Sequence, residues 1–285
     1  MRNIVITAES GADLPVHLEE KYQVRVVPMH IVMENVDYPD GSIPVEQIYD
    51  YHSRTKKIPT TSAVNVAEYV EMFEKIRAED PDCVIFNLAY SGGASCTCQN
   101  CRLAMQDFED IYLVDTQNVS GGQTAFIAKA FEIIEKNRDT KDFQKLADEL
   151  QSWSARTYCS FIPGNLDFLK AGGRVSNAQY LGATLLHLKP LIEMTDGKLV
   201  AGRKYRGTME RIVDKYMEEF VEGHELSKEC LYLLYSKGVS QEIYERMKEN
   251  ALRLGFRTCE YIQTGCVVST HSGPGAIGLA GYAAS

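Results

Sequence analysis

Positive charge is in short supply in this chain. Thirty Lys and Arg stand against 39 Asp and Glu, giving a formal net charge of −9 and a pI near 5.3. Nucleic acid is therefore not expected as the main partner, because neutralising phosphates needs a basic surface. Long apolar runs are also missing. No stretch approaches the roughly 18 uninterrupted apolar residues of a membrane span, so no integral membrane segment is expected. The N-terminus, MRNIVITAESGADLP, turns acidic at Glu9, too early for an apolar signal region. A cytoplasmic location is the resulting expectation. No G-x-S-x-G elbow occurs, which weighs against a serine hydrolase of that type.

What is present suits a folded α/β protein. The 285 residues are 45% hydrophobic and 24% charged, enough to bury a full core. In a reducing compartment the eight cysteines act mostly as small hydrophobes rather than disulfides. Cys83, Cys159, Cys230, Cys259 and Cys266 each sit in or beside an apolar run and fit that role. Runs rich in Val and Ile read as strands at 3–8, 24–33, 83–89, 111–116 and 157–163, with others at 189–194, 229–236 and 258–264. Helical patterns lie between them, at 65–79 and 122–137. The clearest is 207–223, where Met209, Ile212, Val213, Tyr216, Met217, Phe220 and Val221 form one apolar stripe. Strands separated by helices predict parallel sheet. The polar segment 138–156 is the expected seam between two α/β domains, 1–156 and 157–285.

Open α/β sheets bind ligands beyond the carboxyl ends of their strands. The loops at those positions share one chemistry. They are Glu9–Pro15, Pro59–Ser62 (expected at a helix N-terminus), Ser91–Ser95, Val119–Gly122 and Ser269–Gly275, the last expected to run into a small-residue helix. Glycine permits close backbone approach, helix N-termini offer free N–H groups, and hydroxyls add donors. Such a set suits an anionic oxygen group, phosphate or carboxylate, although ordinary N-capping uses the same residues. His271 is the one histidine in a glycine-rich turn and can donate to an anion or act as a base; His17, His52 and His224 read as surface, His30 and His187 as core. Lys170, Arg174, Lys189, Lys198, Arg203, Lys204 and Arg206 form a local basic cluster, either a solvated face or a rim for an acidic ligand or partner.

Taken in order, ESGADLP (9–15), PTTS (59–62), SGGASCTCQ (91–99), VDTQNVSGG (114–122), LKAGGRVS (169–176), KPLIEMTDGKL (189–199) and THSGPGAIG (270–278) resemble the DegV family of bacterial fatty-acid-binding proteins. The resemblance spans nearly the whole chain. It implies two α/β domains with a long-chain fatty acid in a tunnel between them. The carboxylate would be held by Thr61 with Ser62, by the loop of Ser91, Gly92, Gly93 and Ser95, and by His271. It further implies a protein without catalytic residues or cofactor, which presents the carboxylate to a separate ATP-dependent fatty acid kinase. The product would be acyl phosphate for phospholipid synthesis, with Arg174, Arg203 and Arg206 docking the kinase. One departure matters: the family's second loop serine, usually a head-group ligand, is Gly92 here.

Two alternatives compete with this carrier. A lipid-directed hydrolase would use Ser95 or Ser91 with His271. A metal or redox module would use Cys96, Cys98 and Cys101, but Cys96 points away from the helical face shared by the other two. A structural zinc site also needs four ligands, and no second CxxC or HxxxH supplies them.

Overall fold

The computed structural model describes residues 2–175 and 188–284; His187 and Ser176 fall outside them. In chain order the elements begin β1 (Ile4–Glu9), α1 (Val16–Tyr22), β2 (Val24–Val27), β3 (His30–Met33), β4 (Val36–Pro39) and α2 (Glu46–Thr55). Next come β5 (Thr60–Ser62), α3 (Val66–Glu79), β6 (Val84–Ala89), α4 (Thr97–Ala104), β7 (Ile111–Asp115), α5 (Gly121–Lys136) and α6 (Phe143–Ser152). The remainder is β8 (Thr157–Ile162), α7 (Leu166–Gly172), β9 (Leu188–Thr195), β10 (Lys198–Arg206), α8 (Met209–Glu222), β11 (Cys230–Tyr235), α9 (Gln241–Arg253), β12 (Thr258–Gln263), α10 (Cys266–Ser272) and β13 (Ile277–Tyr282). The chain is α/β, as expected.

The strands form a parallel sheet ordered β2-β1-β6-β7, a six-stranded sheet ordered β10-β9-β8-β13-β11-β12, and a small sheet ordered β4-β3-β5. Parallel pairing throughout is corrected in the six-stranded sheet, where only β11 and β12 run parallel. The helix α5 lies between the two larger sheets, packing on β13, β8 and β11 and also on β6. Its residues Ala125 to Ala130, apolar but for Lys129, are buried all round. A helix apolar on every side belongs in an interior.

Three local expectations are corrected. The apolar run 24–33 is two strands, broken at Pro28, whose missing N–H interrupts a ladder. The hydroxyls of 60–62 form β5, paired antiparallel with β3 so that Ile31 faces Thr61; β-branched threonine fits a strand. The helix that follows is capped instead by Asn65, in a capping box with Glu68. The small-residue stretch after Gly275 is the central strand β13, buried along its length. Its glycines disguise the strand pattern, and Gly278 is needed there: a Cβ would stand 2.8 Å from the Ser160 carbonyl oxygen. The stripe on α8 matches its pattern, with Met209, Ile212, Val213, Tyr216, Met217 and Phe220 all buried.

Candidate functional site

A largely apolar cavity lies where the sheets, α10 and the β3–β5 edge meet, with about 770 Å³ of space between atoms when its mouth is included. Phe161 of β8, Leu234 of β11, Ile277 of β13 and Leu199 of β10 form its walls, and Val267 and Val268 of α10 run along one side. The mouth carries polar groups. Ser62 and Arg174 are exposed there, Ser95 is half-buried, and Thr61 and His271 lie just inside.

The strand β5 and the last turn of α10 bring together two residues 210 positions apart. Thr61 Oγ1 lies 3.0 Å from His271 Nε2. His271 Nδ1 is buried without a hydrogen-bond partner among the described residues. It lies against Gly172, where a Cβ would come within 2.2 Å of Nδ1, so glycine lets α7 approach α10. Burial first, and the Arg174 cation second, lower the His271 pKa from 6.5 to about 3. The imidazole is therefore neutral at neutral pH, and the positive charge at the mouth is that of Arg174. With the proton on Nε2, His271 donates to Thr61 and frees the Thr61 hydroxyl to donate to an oxygen in the cavity.

The 91–95 loop divides its labour. Ser91, fully buried, donates its hydroxyl to the Gly197 carbonyl at 2.5 Å and pins the β9–β10 hairpin. Gly92 and Gly93 are exposed and line a shallow recess outside the cavity, with Arg102, Asp115 and Arg174. The Gly92 N–H is shared by both Asp115 carboxylate oxygens at 3.3 Å, and a Cβ on Gly92 would stand 2.9 Å from Oδ2. Ser95 and Ala94 reach the cavity, with Ser95 Oγ 2.7 Å from Thr97 Oγ1. Thus Thr61, Ser62, Ser95, His271 and Arg174 share the cavity, whereas Ser91, Gly92 and Gly93 do not line it. Ser95 and His271 each bond to a threonine rather than to each other.

Of the remaining arginines, Arg203 pairs with Glu219 at 2.6 Å and Arg206 is exposed at the end of β10. Cys98 and Cys101 are buried on α4 and Cys96 is exposed. Burial, above all, pushes the Cys98 thiol up to about 11 and raises Cys101 too. No three His, Cys, Asp or Glu side chains are gathered to hold a metal among the described residues. No described helix is long and apolar enough to cross a membrane.

The start of α10 is held by two acids, buried Asp13 and half-buried Asp40. Asp13 accepts from the Gly265 N–H at 2.7 Å and from the Ser120 hydroxyl at 2.5 Å. Asp40 accepts from the Cys266 and Val267 N–H groups and from Ser10. Together they tie the start of α10 to the loop after β1. Burial is the main cause that raises both acids above the usual carboxylate range. Ser120, which lines the cavity, holds a left-handed φ of 50°, supported by its N–H to Gly11 O and its hydroxyl to Asp13. Sequence patterns did not single out Asp13, Asp40 or Tyr90 for the site. Position beyond a strand's carboxyl end signalled Tyr90, after β6, and Asp13, in the loop after β1, but nothing signalled Asp40.

The comparisons agree over the whole chain. A family model described as an uncharacterised protein of the DegV family matches residues 3–284. A fatty acid-binding protein of Thermotoga maritima is 29% identical over 97% of this chain and 96% of its own length. A Thermus thermophilus structure, described as fatty acid binding of a DegV family protein, superposes with a TM-score of 0.86 at 26% identity, covering all of both chains. A DegV family protein from Eubacterium eligens, loaded with heptadecanoic acid, has the same fold: TM-score 0.81 at 17% identity over 99% of this chain and 100% of that one. The match of the family model from the first strand to the last, on a fold shared in full with these structures, means that the chain belongs to the DegV family.

Proposed function

We propose that this protein binds one long-chain fatty acid. The acyl chain would lie in the cavity along α10 and the carboxylate at Thr61, Ser62 and Ser95, beside Arg174 and the neutral His271. The observation that carries this reading is a largely apolar cavity in which Thr61 and His271 pair at 3.0 Å, beside exposed Ser62 and Arg174 and half-buried Ser95. Similarity to proteins described as fatty-acid binding supports it. Burying an acyl chain yields about 0.8 kcal/mol per CH₂, so some fourteen methylenes contribute on the order of 11 kcal/mol before ordering losses. In this reading Ser91 holds the β9–β10 hairpin, while Gly92 and Gly93 line the outer recess with their N–H groups bonded to Asp115 and Ser91.

In the fuller form of the proposal, the protein is a non-catalytic component of the cytoplasm, made of units 1–156 and 157–285. It presents the carboxylate to a separate ATP-dependent fatty acid kinase, which forms acyl phosphate for phospholipid synthesis. Arg174, Arg203 and Arg206 are the docking residues. The bonding of Ser95 to Thr97 and of His271 to Thr61 supports binding over hydrolysis, because no serine–histidine pair is assembled. Native mass spectrometry of freshly purified protein, with solvent extraction of what it releases, tests the first step. One fatty acid per chain is the expected result; a protein that stays empty when fatty acid is added would sink the proposal.

A further inference from the structure

Tyr90 brings to the cavity a phenol that serves neither the mouth nor the fold. Tyr90, at the carboxyl end of β6, is only 7% exposed and lines the cavity, yet its hydroxyl has no hydrogen-bond partner among the described residues. Its ring lies over Gly11 beside Met29: a Cβ on Gly11 would come within 2.8 Å of both Tyr90 Cε2 and Met29 Sδ. Glycine at 11 thus makes room for an aromatic ring where phenylalanine would fill the same space. Of the other hydroxyls lining the interior, Ser272 Oγ is also buried without a partner among the described residues, while three are committed. Ser120 donates to Asp13, Ser236 donates to the Gly273 carbonyl, and Thr264 bonds Ser269. The Tyr90 hydroxyl is thus free to bond a ligand in the cavity, and a plain hydrocarbon chain gives it no partner. Burial raises the phenol's pKa, so it remains a donor at any physiological pH.

We propose that Tyr90 makes this cavity selective for acyl chains carrying an oxygen function part-way along, hydroxyl or keto, which accepts a hydrogen bond from the phenol. The inference rests on the fatty-acid reading and names the class of acid within it. The test measures binding of octadecanoic acid and its mid-chain monohydroxy positional isomers to delipidated wild-type protein and to Tyr90→Phe. Wild type is expected to bind at least one hydroxy isomer about tenfold tighter than the parent acid. Tyr90→Phe is expected to lose that ratio while binding the parent acid at least as well. Its melting temperature should be unchanged or higher, since no protein hydrogen bond is removed.

Several outcomes overturn the inference while leaving the fatty-acid reading intact. These are equal ratios in the two proteins, a wild-type preference for the parent or a cis-monounsaturated acid over every hydroxy isomer, or a marked loss of stability in Tyr90→Phe. Failure of both proteins to bind any of these acids overturns both.

Discussion

At the scale of single residues, the site depends on keeping His271 neutral next to a hydroxyl. Its pKa of about 3, against 6.5 ordinarily, means that the unfolded chain takes up a proton at this position over a range in which the folded chain does not. Stability contributed here is complete above pH 6.5 and declines as pH falls toward 3. Urea denaturation across that window should show a shallower loss for His271→Gln than for wild type; parallel curves would mean that His271 is not held neutral. Thr61→Val removes a donor to the ligand carboxylate. In the proposed reading it should weaken fatty-acid binding at least about tenfold, since a hydrogen bond to a charged group contributes about 1.5–3 kcal/mol, and it should lower stability by about 1–3 kcal/mol because His271 Nε2 loses its partner. Gly92 was legible as a departure from the family loop, but its cause was not. Asp115, 23 residues away in sequence, occupies the space a serine side chain would enter. Restoring the family serine with Gly92→Ser should therefore give no gain in affinity by titration calorimetry. A clear gain would show that the loop yields and Asp115 moves.

At the scale of elements, α10 carries His271 at one end and is anchored by Asp13 and Asp40 at the other. The seven residues of α10 make it too short to persist alone, so its position comes from these tertiary bonds and from packing on α7. Asp13→Ala leaves Ser120 and the Gly265 N–H without their acceptor and should destabilise the fold by about 2–3 kcal/mol. Asp13→Asn keeps the shape and stays neutral. Because burial raises the Asp13 pKa, the stability it contributes is greatest at low pH and is lost as pH rises through the raised value. The Asn variant should thus gain on wild type as pH increases, a trend that paired thermal melts would detect. Long periodic elements such as α8 were legible because one apolar stripe has one satisfactory packing. The strands β5 and β13 were not. Threonine serves both caps and edge strands, and a Gly- and Ala-rich segment shows no alternation until its neighbours reveal which face is crowded.

At the scale of the whole molecule, the cavity is lined by strands of the six-stranded sheet, by β5 and by the loops that follow β6 and β7, so a ligand there touches the six-stranded sheet and the loops of the parallel one. Fatty acid at a thousandfold its Kd should stabilise the fold by about 4 kcal/mol. For a protein of this size that raises the melting temperature by roughly 7 °C, and complete extraction should reverse it. The family and the α/β class were both determined by sequence alone. They depend on composition, on periodicity and on short ordered motifs, each of which is local along the chain. Which loop residues share one cavity was decided only by tertiary structure. Thr61 meets His271, Ser91 turns away to Gly197, and Tyr90 is left with an unpaired hydroxyl because sheets from distant parts of the chain converge on them. Hydrogen-bond partners separated by a hundred residues or more leave no periodic trace in sequence, and the burial that neutralises His271 exists only once those sheets have closed around it.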